Sequence, residues 1–550
     1  MYGKIKSKPN FPKGEKMKTR ILALILMMVI FLSSCDAAIN NILENLQNKI
    51  DSETPGDQVE QPETDDPGNP PTACDDHTDI DNNGYCDDCN KYVIIVLDLY
   101  AINDLHGKLA DTDDNVGVDE LTTYLKTVTS LDDNAIILSS GDMWQGSSES
   151  NLTHGQIMTE WMNHLGVASM TLGNHEYDWG REYIEANDDL ANFPFLAINI
   201  YDKSTNQRID YCDASVVVEK NGAKIGIIGA IGDCYSSISG DMTSGFYFKT
   251  GTELTNLIKA ESERLRTEEG VDFIVLSIHD GYDQNKSGMS IISDSNLRSY
   301  YDVSLSSGYV DIVFEGHTHK SYVLQDSKGV FHMQAGGENN GISHAEFNIN
   351  IANGKSEIND AKIVSKNTYR SYTDDPIVLA LLEKYKNDIS KADEVLGTLS
   401  RYISSDEICE LVAKVYYLRG LEEFGSQYPI VLGGGFISTR SPYDLERGQV
   451  TYSDIYSILP FDNELVLCSV SGKDLMSKFV NTTNSRYHIY YEEYGSDAIA
   501  NIVNNKTYYI ITDSYTSTYS YNNLTEIKRF APNEYARDLL AAYIKAGKLK

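Results

Sequence analysis

Asparagine, histidine and acids crowd together in Thr171-Leu-Gly-Asn-His-Glu-Tyr-Asp178, and four other short stretches carry the same residue types. They are Asp104-Leu-His106, Gly141-Asp142, His279-Asp280 and Gly316-His-Thr-His319. Carboxylate and amide oxygens mixed with imidazole suit Zn, Mn, Fe, Co or Ni better than Mg or Ca alone. Seven candidate ligands exceed the roughly four of one tetrahedral site, and two cations sharing a bridging carboxylate would use all seven.

Each stretch closes a short apolar run: Val93 to Ala101, Ala135 to Leu138, Val167 to Met170, Phe273 to Ile278 and Val310 to Phe314. Runs of this length, separated by helical periods, read as buried strands of an α/β sheet. Ligands gather beyond the carboxyl ends of such strands, so the five groups should meet at one edge. Leu254, Leu257, Ile258 and Leu265 mark one apolar face of a helix in 251–268. Ala223-Lys-Ile-Gly-Ile-Ile-Gly229 is a further buried strand, and the alternation continues from residue 91 to about 370. Pro376 opens a connecting helix within 371–394, with Leu379, Leu382, Tyr385 and Ile389 as its apolar stripe. A second region, 395–550, has a helix over 406–424 and strands over 465–470 and 507–513.

The first residues address the chain. Residues 1–20 are basic and Ile21 to Leu32 is apolar, too short for a span of about 20 residues but right for a signal core. Leu32-Ser-Ser-Cys35 resembles the lipobox of bacterial lipoproteins. On that reading 1–34 is a signal peptide, and Cys35 becomes the lipidated first residue of a body held on the outer face of the membrane. The lipid is its sole membrane contact. Residues 35–73 then form a solvated tether, rich in Pro, Gly and acids over 51–73.

Cys74, His77, Cys86 and Cys89 follow at the spacing of a small zinc knuckle over 74–90. Asp79, Asp81, Asn83 and Gly84 imitate the first half of a calcium loop, but Asn90 stands where its bidentate Glu belongs. A disulfide is the third reading of these cysteines.

Composition narrows the partner. With 46 Lys+Arg against 81 Asp+Glu, the formal net charge is -35, which argues against a nucleic-acid polymer as partner. Small anionic substrates stay open, because bound cations can dominate the local field.

The motifs Asn103-Asp-Leu-His-Gly107, Gly141-Asp142, Gly173-Asn-His-Glu-Tyr-Asp178, Ser277-Ile-His-Asp-Gly281 and Gly316-His-Thr-His319 resemble the 5'-nucleotidase family of calcineurin-like metallophosphoesterases. Gly433-Gly-Gly435 and Ile458-Leu-Pro-Phe-Asp-Asn463 extend the resemblance into the second region. It implies a four-layer α/β metallophosphoesterase sandwich flanked by helices, plus a C-terminal α+β substrate domain. It implies Asp104, His106 and His319 on one metal, Asn174, His279 and His317 on the other, and Asp142 bridging. His175 then faces the substrate phosphate and Asp178 orients it.

The implied reaction is hydrolysis of a nucleoside 5'-monophosphate by metal-activated water, without a covalent intermediate. The same site serves a 2',3'-cyclic-nucleotide phosphodiesterase or a UDP-sugar hydrolase, and a binding lipoprotein without turnover is the reading from another class.

The family's Asn-Gly-Gly-Gly-x-Arg turn is altered here. Leu432 and Ile437 stand at its ends, and Arg440 is the candidate to grip phosphate in place of the missing Arg. Tyr487 and Tyr515 are candidates to stack the base. His154, His164, His332, His344 and His488 fit no motif and read as ordinary.

Overall fold

The apolar run from Val93 becomes β1 (Ile94–Ile102), whose last residues are fully buried. β2 (Ala135–Ser139), β3 (Met170–Thr171) and β4 (Phe195–Leu196) line up parallel beside it. A small pair, β5 (Ile200–Asp202) and β8 (Phe246–Phe248), stands apart. The second sheet contains β6 (Ser215–Lys220), β7 (Ala223–Ile231), β9 (Phe273–His279), β10 (Ile312–Glu315), β11 (Ser321–Gln325) and β12 (Phe331–Ala335). β13 (Gly341–Asn350) and β14 (Lys355–Ser365) return to the first sheet. The orders are β14-β13-β1-β2-β3-β4 and β11-β12-β10-β9-β7-β6.

This computed structural model describes residues 77–81, 83–89, 91–109, 116–131, 133–238, 242–282, 309–326, 328–436, 443–481, 487–491, 501–519 and 523–548. Cys35, Cys74 and Arg440 lie outside them, as do the leader and the tether. Among the described residues no helix is long and apolar enough to cross a membrane.

Three apolar layers hold the sandwich. Between the sheets lie Leu97, Leu99, Ile136, Leu138, Ile227, Val275, Phe314 and Ile349, with Phe273 stacked on Phe347 at 3.9 Å. Outside the first sheet, Leu121, Leu125, Ile157, Trp161 and Ile184 come from helices Val118–Ser130, Gln156–Leu165 and Arg181–Leu190. Outside the second, Leu254, Ile258 and Leu265 of helix Gly251–Glu268 cover Ile228, Ile274 and Leu276. Each fully buried side chain of this size contributes about 1.5–3 kcal/mol. β9 is buried along its whole length, as a central parallel strand covered on both faces must be.

Helix Pro376–Ile389 starts at Asp375, whose side chain accepts Ile377 N–H and Val378 N–H. Its buried face is Val378, Leu381 and Tyr385. Leu382 and Ile389 pack beside them, while Leu379 points to water at 46% exposure. The stripe read from the sequence is therefore rotated. A run with five apolar residues in its first six helical positions admits more than one face.

The second region is α+β. Helix Ser405–Phe424 begins with a capping box, Ser404 with Glu407. It covers a five-stranded sheet that includes β16 (Ile430–Phe436), β18 (Leu465–Ser471) and β20 (Thr507–Asp513).

Asp513 ends β20 and accepts Thr516 N–H at 2.7 Å and Tyr416 O–H at 3.4 Å. Burial pushes its carboxyl up to about 6 against those bonds. A raised folded-state pKa favours the native state fully below the unfolded value near 3.8, and that benefit is lost as pH rises through 6. Asp513→Asn is expected to raise stability at pH 8 by up to about 3 kcal/mol and to lose that advantage near pH 4, read by urea unfolding at both pH values.

Candidate metal centre and cleft

The strand ends meet as their positions require. Asp104 and His106 follow β1, Asp142 follows β2, and Asn174 follows β3; His279 ends β9, and His317 and His319 follow β10. Five of these seven hold left-handed backbone: Asp104, His106, Asp142, His317 and His319 have φ between 51° and 70°. Non-glycine residues rarely adopt it, and it persists only where the surroundings enforce it. The enforcing bonds are on hand. Asp104 N–H donates to Gly141 O at 2.9 Å and His106 N–H to Asp142 O at 3.1 Å. His317 N–H reaches the Asp104 carboxylate at 3.0 Å. At Gly173 an added Cβ would run into the Asp142 carboxylate, so the close approach of these loops needs a glycine.

The imidazoles are oriented from behind. His106 Nδ1 donates to Gln145 O at 2.9 Å and His279 Nδ1 to Ser140 O at 2.7 Å. Each Nε2 thus carries its lone pair inward. His106 Nε2 and His319 Nε2 face each other at 3.0 Å. His279 Nε2 lies 3.0 Å from Asp142 Oδ2 without hydrogen-bond geometry. Asn174 Oδ1 is likewise buried without a partner. Inward lone pairs, orphaned polar atoms and paired carboxylates fit divalent cations, since burying them uncompensated is costly. Three groups at this site present ligand atoms within 4.8 Å of one another: Asp104, His106 and His319; Asp104, Asp142 and His279; and Cys234, His279 and His317.

The electrostatics agree with a site built for cations. Burial works against charge on His279, yet the Asp142 and Asp104 carboxylates hold it up at about 10, so their field favours a positive charge at Nε2, whether a proton or a cation in its place. Burial and the neighbouring His279 push His317 down to about 4. Burial opposes charge on Asp142 too, but His279 and His175 keep it well below the usual carboxylate range.

His175 stands beside the cluster. Its Nδ1 is 2.8 Å from Asp178 Oδ2, and its ring stacks on Phe461 at 5.5 Å. Phe461 belongs to the second region. Gln145 and Asn151 donate to Pro460 O at 2.8 and 2.9 Å, and Arg537 donates to Phe461 O at 3.0 Å while pairing with Asp462. Between the two regions lies a cleft of about 920 Å³. Its walls include Asp142, Asn174, His175, Asp178, His317, His319, Lys320, Phe461, Tyr515, Arg529 and Tyr535. Tyr487 starts a strand opposite Phe436, and its side chain lies outside the described residues.

Four groups escaped the sequence. Buried Glu176 accepts N–H from Gly173, Asp142 and Met143 at 2.7, 3.0 and 2.8 Å, clamping both ligand loops with one carboxylate. Burial and the Asp142 charge push it up to about 7. Its place in the Asn-His-Glu motif is the sole signal of this. Asn103 ties Asp104 to the β12 end, donating to the Asp104 carboxylate at 2.7 Å and accepting Ala335 N–H at 3.2 Å. His154, ordinary by its sequence, lines the cleft and stacks on Tyr183 at 4.1 Å. Cys234 donates its S–H to His279 O at 2.8 Å, and burial pushes its thiol well up, so it supports His279 as a neutral thiol.

The chain is similar to known proteins. The calcineurin-like phosphoesterase family matches residues 97–321, and the 5'-nucleotidase C-terminal domain matches 389–495. Protein UshA of Yersinia enterocolitica is 24% identical over 405 residues, 66% of this chain and 70% of that protein. An apyrase of Tabanus yao is 26% identical over 430 residues, 70% of this chain and 72% of that one. The crystal structure of a 5'-nucleotidase precursor from Thermus thermophilus superposes with a TM-score of 0.65 at 17% identity, covering 82% of this chain and 97% of the other. The chain belongs to the 5'-nucleotidase family of calcineurin-like phosphoesterases.

Proposed function

We propose that this phosphoric ester hydrolase cleaves nucleoside 5'-monophosphates to nucleoside and phosphate in the cleft between its two regions. One juxtaposition supports the reading: the Asp, Asn and His cluster shares the cleft with the aromatic residues Phe461, Tyr515 and Tyr535, and His175 lies beside both. The names 5'-nucleotidase and apyrase among its relatives support a nucleotide substrate.

Asp104, His106 and His319 would hold one divalent cation, Asn174, His279 and His317 the other, with Asp142 between them; the donor set is of the Zn, Mn, Fe, Co or Ni class. When bound, such a pair makes water nucleophilic near neutral pH and offsets charge on the reacting oxygens. The chain's own groups do the rest. Gln145 O and Ser140 O fix the imidazole tautomers of His106 and His279. Asp178 holds the His175 Nδ1 proton, which turns Nε2 toward the phosphoryl or leaving oxygen as a hydrogen-bond donor when the ring is protonated. Phe461 limits rotation of that ring. Arg440 is our proposed phosphate anchor, with Lys320 and Arg529 already on the cleft walls. Tyr515, on the cleft wall, is our candidate to stack the base. Attachment to the outer membrane face through Cys35 is part of the same reading.

A phosphate-release assay over nucleotides, cyclic nucleotides and UDP-sugars tests it. Nucleoside 5'-monophosphates should turn over, a chelator should stop the reaction, and Mn or Zn should restore it. Turnover that survives full chelation overturns the metal centre. Turnover restricted to cyclic nucleotides or UDP-sugars overturns the substrate and keeps the centre.

A further inference from the structure

At the end of β1 remote from the cleft, the chain ties a small knot. His77, Cys86 and Cys89 each offer one ligand atom, and these lie within 4.8 Å of one another. Cys89 Sγ is 3.5 Å from His77 Nδ1. Both cysteines are buried, at 2% and 4% exposure, with Val93, Ile351 and Ala352 packed beside them. The Cys86 sulfur draws backbone N–H groups from Thr78, Asp88 and Cys89 as well as the His77 ring. Amides two and three residues further on, turned onto a cysteine sulfur, satisfy a thiolate within a Cys-x-x-Cys turn.

The knot is joined to the catalytic sheet on both sides. Cys86 N–H donates to Lys91 O at 2.7 Å and Val93 N–H to Gly84 O at 2.9 Å. Asp79 accepts the Asn350 side-chain amide at 2.5 Å, and Asn353 donates to Asp79 O at 3.3 Å. The Asp79 carboxylate also takes Asn83 N–H and Gly84 N–H, so it shapes the turn and has little left for a calcium ion. What remains is sulfur and imidazole, a soft donor set that selects zinc over calcium.

We propose that His77, Cys86 and Cys89 hold a structural cation of the zinc class, separate from the cleft, that staples the segment ahead of β1 to the β13–β14 turn. Loading exchanges thiol protons for the cation and moves no electrons. Nine residues of β1 separate the knot from Asp104, about 30 Å of extended chain. This cation therefore steadies the sandwich and touches no reacting atom.

The test compares the purified full chain with Cys86→Ser/Cys89→Ser, both loaded with Co(II) or with zinc. The wild type should bind one cation more per chain and show a thiolate-to-cobalt charge-transfer band that the double variant lacks. The variant should have a lower Tm and an unchanged kcat. Should the variant fail to fold, a cobalt band in the wild type that His77→Ala shifts supports the proposal equally, and a wild type without the band overturns it. Equal cation counts with the same band in both proteins overturn it too. So does unreduced wild-type chain whose mass shows Cys86 joined to Cys89.

Discussion

Asp142→Ala is expected to lower turnover by on the order of 10³–10⁴-fold and to reduce the cations bound in the cleft below two per chain. Asp142 is the group between the two halves of the cluster, 3.0 Å from His279 Nε2 and 3.9 Å from His106 Nε2. Its other oxygen takes His175 N–H at 2.8 Å. On the proposed reading, alanine removes the ligand shared by both cations and frees the loop that presents His175, so both parts of the chemistry suffer. Asp142→Asn keeps an acceptor for the His175 N–H but loses the charge, and should show most of the same loss. Metal analysis and phosphate release on one sample decide the matter. Full turnover by a folded Asp142→Ala protein would remove the bridging role.

His175→Ala should cost about 10²–10⁴ in kcat while leaving metal content unchanged. Its ring belongs to none of the three groups of converging ligand atoms at this site, and its Nδ1 is committed to Asp178. Loss of rate with retained cations separates hydrogen-bond donation to the reacting oxygens from ligand loss. Asp178→Asn should forfeit part of the same rate, because an amide supports a charged imidazole less well than a carboxylate does. A His175→Ala protein that also loses its cations would place the ring among the ligands. One with wild-type kcat would leave it no role in the chemistry.

The strand ends were legible because an apolar run broken by Asp or His has few uses other than a buried strand reaching a site. Even β3, two residues long, was marked by Asn174 and His175. The face of helix Pro376–Ile389 was not, because its opening is nearly all apolar and only the neighbouring core settles that Val378 and not Leu379 goes inside. Glu176 acts through backbone N–H groups of residues more than 30 positions away, which no side-chain pattern announces. Arg537 works by holding Phe461 and Asp462 at the cleft, a contact that exists only once the second region has folded. His154 shows the opposite error: without a motif it looked idle, yet its left-handed backbone places it on the cleft wall.

The seven inward-facing groups are drawn from both leaves of the sandwich, Asp104, His106, Asp142 and Asn174 from one and His279, His317 and His319 from the other. Cations seated among them would act as rivets between the leaves, because an opened chain cannot present all seven at once. At a free concentration 100 times Kd, one such cation adds about 2.7 kcal/mol to the closed form. Metal starvation would then register twice, as silence in catalysis and as a chain that yields sooner to proteases.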